Sequence, residues 1–111
     1  MQHKMNLWND SFISIKSGVK TVEMRLNDEK RSLVHSGDTI IFTNVDTNEK
    51  ITVSVIRSVA YRDFYELYEH YSKIDIGYEE NEVSDPADMY MYYPKEKIDK
   101  YGALAIEIKL I

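Results

Sequence analysis

Hydrophobic and polar residues alternate with a period of two over several short stretches, and the period lengthens to that of a helix at definable points. Leu104, Ile106, Ile108 and Leu110 fall on one face of a strand, opposite Ala105, Glu107 and Lys109. Ile51, Val53 and Val55 alternate with Thr52 and Ser54, and this stretch pairs naturally with Thr39 to Thr43 as a hairpin around the polar connection at 45–49. The alternation slips at Ile56, which predicts a bulge or a change of sheet face. Helical spacing appears in Asn9 to Ser17, with Phe12 and Ile15 on one face, Asn9 or Asp10 as N-cap and Gly18 placed to end the helix. It returns after Asp63, a capping residue, where Phe64, Leu67, Tyr68 and Tyr71 follow i, i+3, i+4 and i+7. Asp28 to Leu33 reads as a helical turn. These elements define an α+β chain with more strand than helix.

The chemistry concentrates in Gly18-Val19-Lys20-Thr21-Val22-Glu23-Met24-Arg25, where a helix hands over to a strand. From Thr21 the period of two puts Thr21, Glu23 and Arg25 on one face, with Val22 and Met24 directed into a core. Lys20, if it already belongs to the strand, falls on the face opposite Glu23. An arginine contributes a planar two-pronged donor and a lysine a point charge, so Lys20 and Arg25 can hold a phosphate, a carboxylate or a base edge while Glu23 orients one of them. The same string also fits an ordinary surface ion pair, which contributes only about 0–1 kcal/mol.

The octapeptide resembles the Gly-x-Lys-x-x-Glu-x-Arg signature of the ASCH domain family, relatives of the PUA-like RNA-binding fold. The resemblance extends along the chain: Met5-Asn6-Leu7-Trp8 as first strand, Ser36-Gly37-Asp38-Thr39-Ile40-Ile41-Phe42 as the Gly-Asp turn and hydrophobic strand, and Tyr101-Gly102-Ala103-Leu104-Ala105-Ile106 as closing strand. It implies a single domain over residues 1–111 folded as a PUA-like β-barrel, or pseudobarrel, with short peripheral helices. It further implies an RNA- or nucleotide-binding function, with a small nucleic-acid ligand in a pocket at Lys20, Thr21, Glu23 and Arg25. One family branch instead hydrolyses N(4)-acetylcytidine with a lysine, a threonine and a glutamate, which leaves a small amidohydrolase, or a ribonuclease, as the alternative. Lys20 matches that lysine. The threonine position holds Glu23, Thr21 is a hydroxyl displaced from the pattern, and the downstream glutamate corresponds only loosely to Glu79, Glu80 or Glu82. A lysine desolvated in an apolar pocket loses basicity and can act as base or nucleophile, whereas a nearby carboxylate stabilises the ammonium.

Composition narrows the partners. The 111 residues suffice for one core, and no apolar run approaches the roughly 20 residues of a membrane span, so no membrane partner is expected. The N-terminus does not lead into a secretory segment. The absence of cysteine excludes disulfides and thiolate chemistry, with a cytoplasmic location as default. A formal charge of −5 opposes binding of extended duplex DNA. Acids gather in Asp75, Glu79, Glu80, Glu82, Asp85 and Asp88, and bases in Lys16, Lys20, Arg25, Lys30 and Arg31, so the expectation is a small positive pocket on a negative protein, with Lys30 and Arg31 as delocalised helix charges.

Among the nine tyrosines, Met89-Tyr90-Met91-Tyr92-Tyr93-Pro94 reads as strand-like alternation that either packs or offers Tyr90 and Tyr92 for base stacking. Trp8 is either a core or rim anchor or a cover for the pocket. Ser72 to Lys97 is the least regular stretch, a lid or binding loop if ordered and otherwise a disordered acidic segment. Histidine spacing and the acidic stretch match no metal site, and no glycine-rich phosphate loop or dinucleotide fingerprint is present, so no cofactor is expected.

Overall fold

The computed structural model describes all residues 1–111. Five strands form one sheet: β1 (Gln2–Leu7), β2 (Val22–Leu26), β3 (Thr39–Asn44), β4 (Lys50–Tyr61) and β5 (Ala103–Leu110), in the order β1-β3-β4-β5-β2. β1 runs parallel to β3 and the other pairs are antiparallel. Three short helices, α1 (Asn9–Lys16), α2 (Phe64–Tyr68) and α3 (Lys95–Tyr101), and two 3-10 turns at Arg31–Leu33 and Pro86–Met91 flank the sheet.

The hairpin, the Asp63 cap and the closing strand follow the sequence pattern. Asp63 accepts from the Glu66 amide at 2.9 Å, and the register slips between Val55 and Arg57 around Ile56. That slip lets a twelve-residue strand bend. Residues 50–54 pair with β3 and residues 53–61 with β5, so the sheet curls into a half-barrel.

α1 begins differently from expectation. Trp8 occupies the N-cap without a side-chain bond. The side chain of Asn9 instead accepts from Asn44 Nδ2 at 2.9 Å, and its amide donates to Asp46 at 3.1 Å. A buried asparagine thus fixes the β3–β4 turn against the start of the helix. Gly18 ends α1 with φ of +84°.

Apolar residues divide into two clusters rather than one core. Met5, Leu7, Phe12, Ile15, Phe42, Leu104, Ile106 and Ile108 fill the concave face under α1, whereas Val22, Leu26, Phe64, Leu67, Ile76, Met89, Ile98, Ala103 and Ala105 lie on the convex face under α2 and α3. β5 separates the two, its even residues inside and its small odd residues outside. Small side chains at Ala103 and Ala105 let the outer helices approach closely. Tyr71 lies beyond the end of α2 but packs against the outer cluster and donates to Glu107 at 2.8 Å.

The stretch 72–97 is neither strand nor simple loop. Ile76 and Met89 are buried in the outer cluster, Lys73 donates to the carbonyls of Glu80 and Glu82 at 2.6 and 2.8 Å, and Asp85 caps the 3-10 turn through the Ala87 amide. Buried apolar anchors and these tethers supply what its acidic composition does not.

Candidate nucleic-acid interface

Glu23 and Arg25 sit on β2 opposite Ile106 and Leu104, and so point to the concave face of the sheet. Lys20 precedes β2 in irregular backbone, which frees it from strand alternation and lets it turn toward Glu23. The face separation expected for a strand lysine therefore does not occur. Lys20 Nζ lies 2.9 Å from Glu23 Oε1 and Arg25 Nη2 lies 2.8 Å from Glu23 Oε2, with Arg25 Nε donating to that oxygen at 2.8 Å. The Lys20 and Glu23 side chains are only 8% and 5% exposed. With Arg25 half-buried beside them, these residues form a largely buried triad, not a surface pair.

Burial pushes the Glu23 carboxyl up, but the charges of Lys20 and Arg25 outweigh it and hold the group below the ordinary carboxylate range. Burial likewise lowers the Arg25 guanidinium while Glu23 raises it, and the balance is upward. Arg25 Nη2 also donates to the Asn6 carbonyl on β1 at 2.7 Å. β1 and β2 are the two edges of the sheet, so this arginine bridges the open side of the half-barrel.

The triad floors a cleft of about 1480 Å³. Its rim carries large exposed apolar side chains, among them Trp8 at 64% exposure, Ile13, Val19, Met91 and Tyr92. Residues 74–93 form the facing wall. Against it the Tyr68 hydroxyl, from the end of α2, lies 2.9 Å from that of Tyr78, Tyr78 lies 2.8 Å from Asp88, and burial raises both phenols so that they remain protonated donors. Gly77, at φ +112°, backs onto the Lys20 side chain, where an added Cβ would come within 3.1 Å of Cδ.

Of the residues singled out from sequence, Lys20, Glu23, Arg25, Trp8 and Tyr92 line this cleft, and Thr21 and Tyr90 do not. Thr21 opens onto a separate recess of about 280 Å³ and its hydroxyl donates to Asp75 at 3.2 Å. Tyr90 is excluded because the segment is a 3-10 turn with a period near three, not a strand with a period of two. That same period brings Met89 and Tyr92 to the cleft, joined by Tyr93, whose ring stacks parallel to Phe64 at 6.0 Å between centroids.

The expected positive pocket is also corrected. Lys16 pairs with Glu49 away from the cleft. Inside it, Lys20, Arg25 and Arg31 face Asp10, Glu23, Glu79, Glu80, Glu82 and Asp88. The acidic stretch, remote in sequence from the signature, folds back as its opposite wall. Ser11, with Oγ 3.4 Å from Lys20 Nζ, lines the cleft although the sequence pattern did not single it out, and Arg31, expected as a delocalised helix charge, is instead held by Asp28 on the cleft wall.

A five-stranded half-barrel with a cleft built on a buried Lys-Glu-Arg triad defines a PUA-like α+β domain. The family model for the ASCH domain matches residues 5–111, and the chain belongs to that family, which is generally RNA-binding. Two solved structures share the fold over all or nearly all of their lengths. The crystal structure of hypothetical protein PH0355 superposes with a TM-score of 0.84 at 31% identity, covering 100% of both chains. The solution structure of protein PF0455 from Pyrococcus furiosus gives 0.77 at 31% identity, covering 100% of this chain and 98% of that one. No curated protein matches the chain. No helix is long and apolar enough to cross a membrane.

Proposed function

We propose that this domain binds single-stranded RNA by taking a nucleobase into the cleft above Lys20, Glu23 and Arg25. The observation that carries the reading is the buried triad at the floor of a concave surface rimmed by exposed apolar side chains. Trp8, Met91 and Tyr92 offer flat or polarisable surface to a base, and stacking of this kind contributes about 1–3 kcal/mol per base. The carboxylates of the wall repel a long phosphate backbone, so few phosphates engage at once. A cleft of about 1480 Å³ exceeds the roughly 300–1,000 Å³ of a typical small-molecule site, which favours a nucleotide with neighbours over a lone nucleoside.

Hydrolysis of N(4)-acetylcytidine or a related modified nucleoside is the second reading, favoured by one observation: the Ser11 hydroxyl 3.4 Å from Lys20 supplies the oxygen that Thr21 does not. Against it stands the 2.9 Å ion pair with Glu23, which occupies the Lys20 amine. The test is anisotropy with short single-stranded RNAs, alongside chromatography of acetylated nucleosides incubated with the protein. Saturable RNA binding that survives Lys20→Arg, with no product formed, is the expected result. Turnover by the unmodified protein that is abolished by Lys20→Arg and by Ser11→Ala would replace binding with catalysis.

A further inference from the structure

Arg31 is the cation of the cleft that the signature does not include. Its backbone amide donates to Asp28 Oδ1 and its Nη1 to Asp28 Oδ2, both at 2.9 Å, so a bidentate clamp fixes the guanidinium on the cleft wall. Arg31 Nε is buried and finds no acceptor in the chain. A buried donor without a partner is uncommon in folded proteins, and here it belongs to a group well suited to phosphate oxygens. Arg25 lines the same cleft, and its charge, with that of Arg31, acts on the Tyr93 phenol: burial and Glu23 raise that phenol, the two cations pull it down, and the balance is upward. Arg25, Arg31 and Tyr93 thus share one corner of the cleft, with Glu23 and Asp28 paired to the two guanidiniums.

The 74–93 wall is different. Asp88 is held there by the Tyr78 hydroxyl, which in turn meets Tyr68. An ionised carboxylate only accepts hydrogen bonds. Among the Watson–Crick edges, guanine alone presents two adjacent donors, N1–H and the N2 amino group. Adenine, cytosine and uracil each place an acceptor beside their single donor, and that acceptor would meet the carboxylate with like charge.

We propose that the cleft takes a nucleotide in one orientation, with phosphate at Arg31 and Arg25 and the base edge on Asp88, and that this arrangement selects guanine. This rests on the nucleobase-binding reading above. Trp8 or Tyr92 then covers the base from the rim, and the Lys20–Glu23–Arg25 triad supports the floor without surrendering its internal bonds.

The test is titration calorimetry of the whole protein with GMP, guanosine, AMP, CMP and UMP, and with short RNAs that contain or lack guanine. GMP should bind about tenfold more tightly than guanosine, and about tenfold more tightly than the other monophosphates. Arg31→Ala should lower the GMP-to-guanosine ratio toward one, leaving only what Arg25 supplies, and Asp88→Asn should erase the preference for guanine while leaving the phosphate ratio of the unmodified protein in place. Because both ratios are read first in the unmodified protein, poor folding of a variant does not remove the test. RNA binding with no preference among bases, or equal affinity for GMP and guanosine, overturns the orientation and leaves the nucleobase-binding reading standing. Failure of every RNA and nucleotide to bind overturns both.

Discussion

Glu23 is the residue on which the triad turns, because it satisfies the buried Lys20 and the half-buried Arg25 at once. Removing one partner from a buried ion pair leaves the others uncompensated and costs about 3–5 kcal/mol. Glu23→Gln should therefore lower the unfolding midpoint by about 10 °C or more, as measured by circular dichroism. The pH dependence follows from the same contacts. The carboxyl is held below its unfolded value near 4.5, so between the two values the unfolded chain binds more protons, and the stabilisation is complete above about 4.5 and lost as pH falls through the lower folded value. Urea unfolding from pH 7 to pH 3 should show the gap between the unmodified protein and Glu23→Gln closing below the ordinary carboxylate range. A constant gap would mean that Glu23 acts through packing alone. The sequence brought Glu23 and Arg25 to one face because they lie within a true strand. It left the face of Lys20 conditional, since alternation says nothing about a residue in irregular backbone, and it counted Arg31 and Asp88 only as members of a basic and an acidic cluster, because their placement on one cleft depends on contacts remote in sequence.

At the scale of elements, the strands were legible wherever one face was apolar, and the bulge at Ile56 was visible as a slip in that alternation. The segment 72–97 was not, because its buried residues, Ile76 and Met89, are single anchors without period. Two glycines show how this segment and the closing strand are positioned. A Cβ at Gly102, where φ is +77°, would lie 2.7 Å from the Tyr61 carbonyl, a backbone atom that cannot yield. Gly102→Ala should cost about 3 kcal/mol or more and compromise folding. At Gly77 the obstacle is the flexible Lys20 side chain, so Gly77→Ala should cost about 1–3 kcal/mol from backbone strain while displacing Lys20 from Glu23. Thermal melts of both variants, with RNA affinity of the second, check the contrast: Gly102→Ala fails in stability, and Gly77→Ala loses proportionally more binding. Equal stability losses would show that Lys20 does not yield.

For the whole molecule, the distribution of charge decides how nucleic acid can approach. The formal charge of −5 does not conceal a basic face over the cleft, since six carboxylates share the lining with three cations and Lys20 is paired with Glu23. Association must then draw on stacking and hydrogen bonding more than on counterion release. Each phosphate neutralised on a single strand contributes a slope of about −0.7 to the logarithm of affinity against the logarithm of salt. With Arg31 and Arg25 as the phosphate contacts, the slope should lie between about −0.7 and −1.4, and extended duplex DNA should bind no more tightly than nonspecific background. Anisotropy with short single-stranded RNA at salt concentrations from about 50 to 200 mM measures it. A slope steeper than about −3 would require several more phosphate contacts than the cleft has cations to make, and would move the interface to another face of the half-barrel.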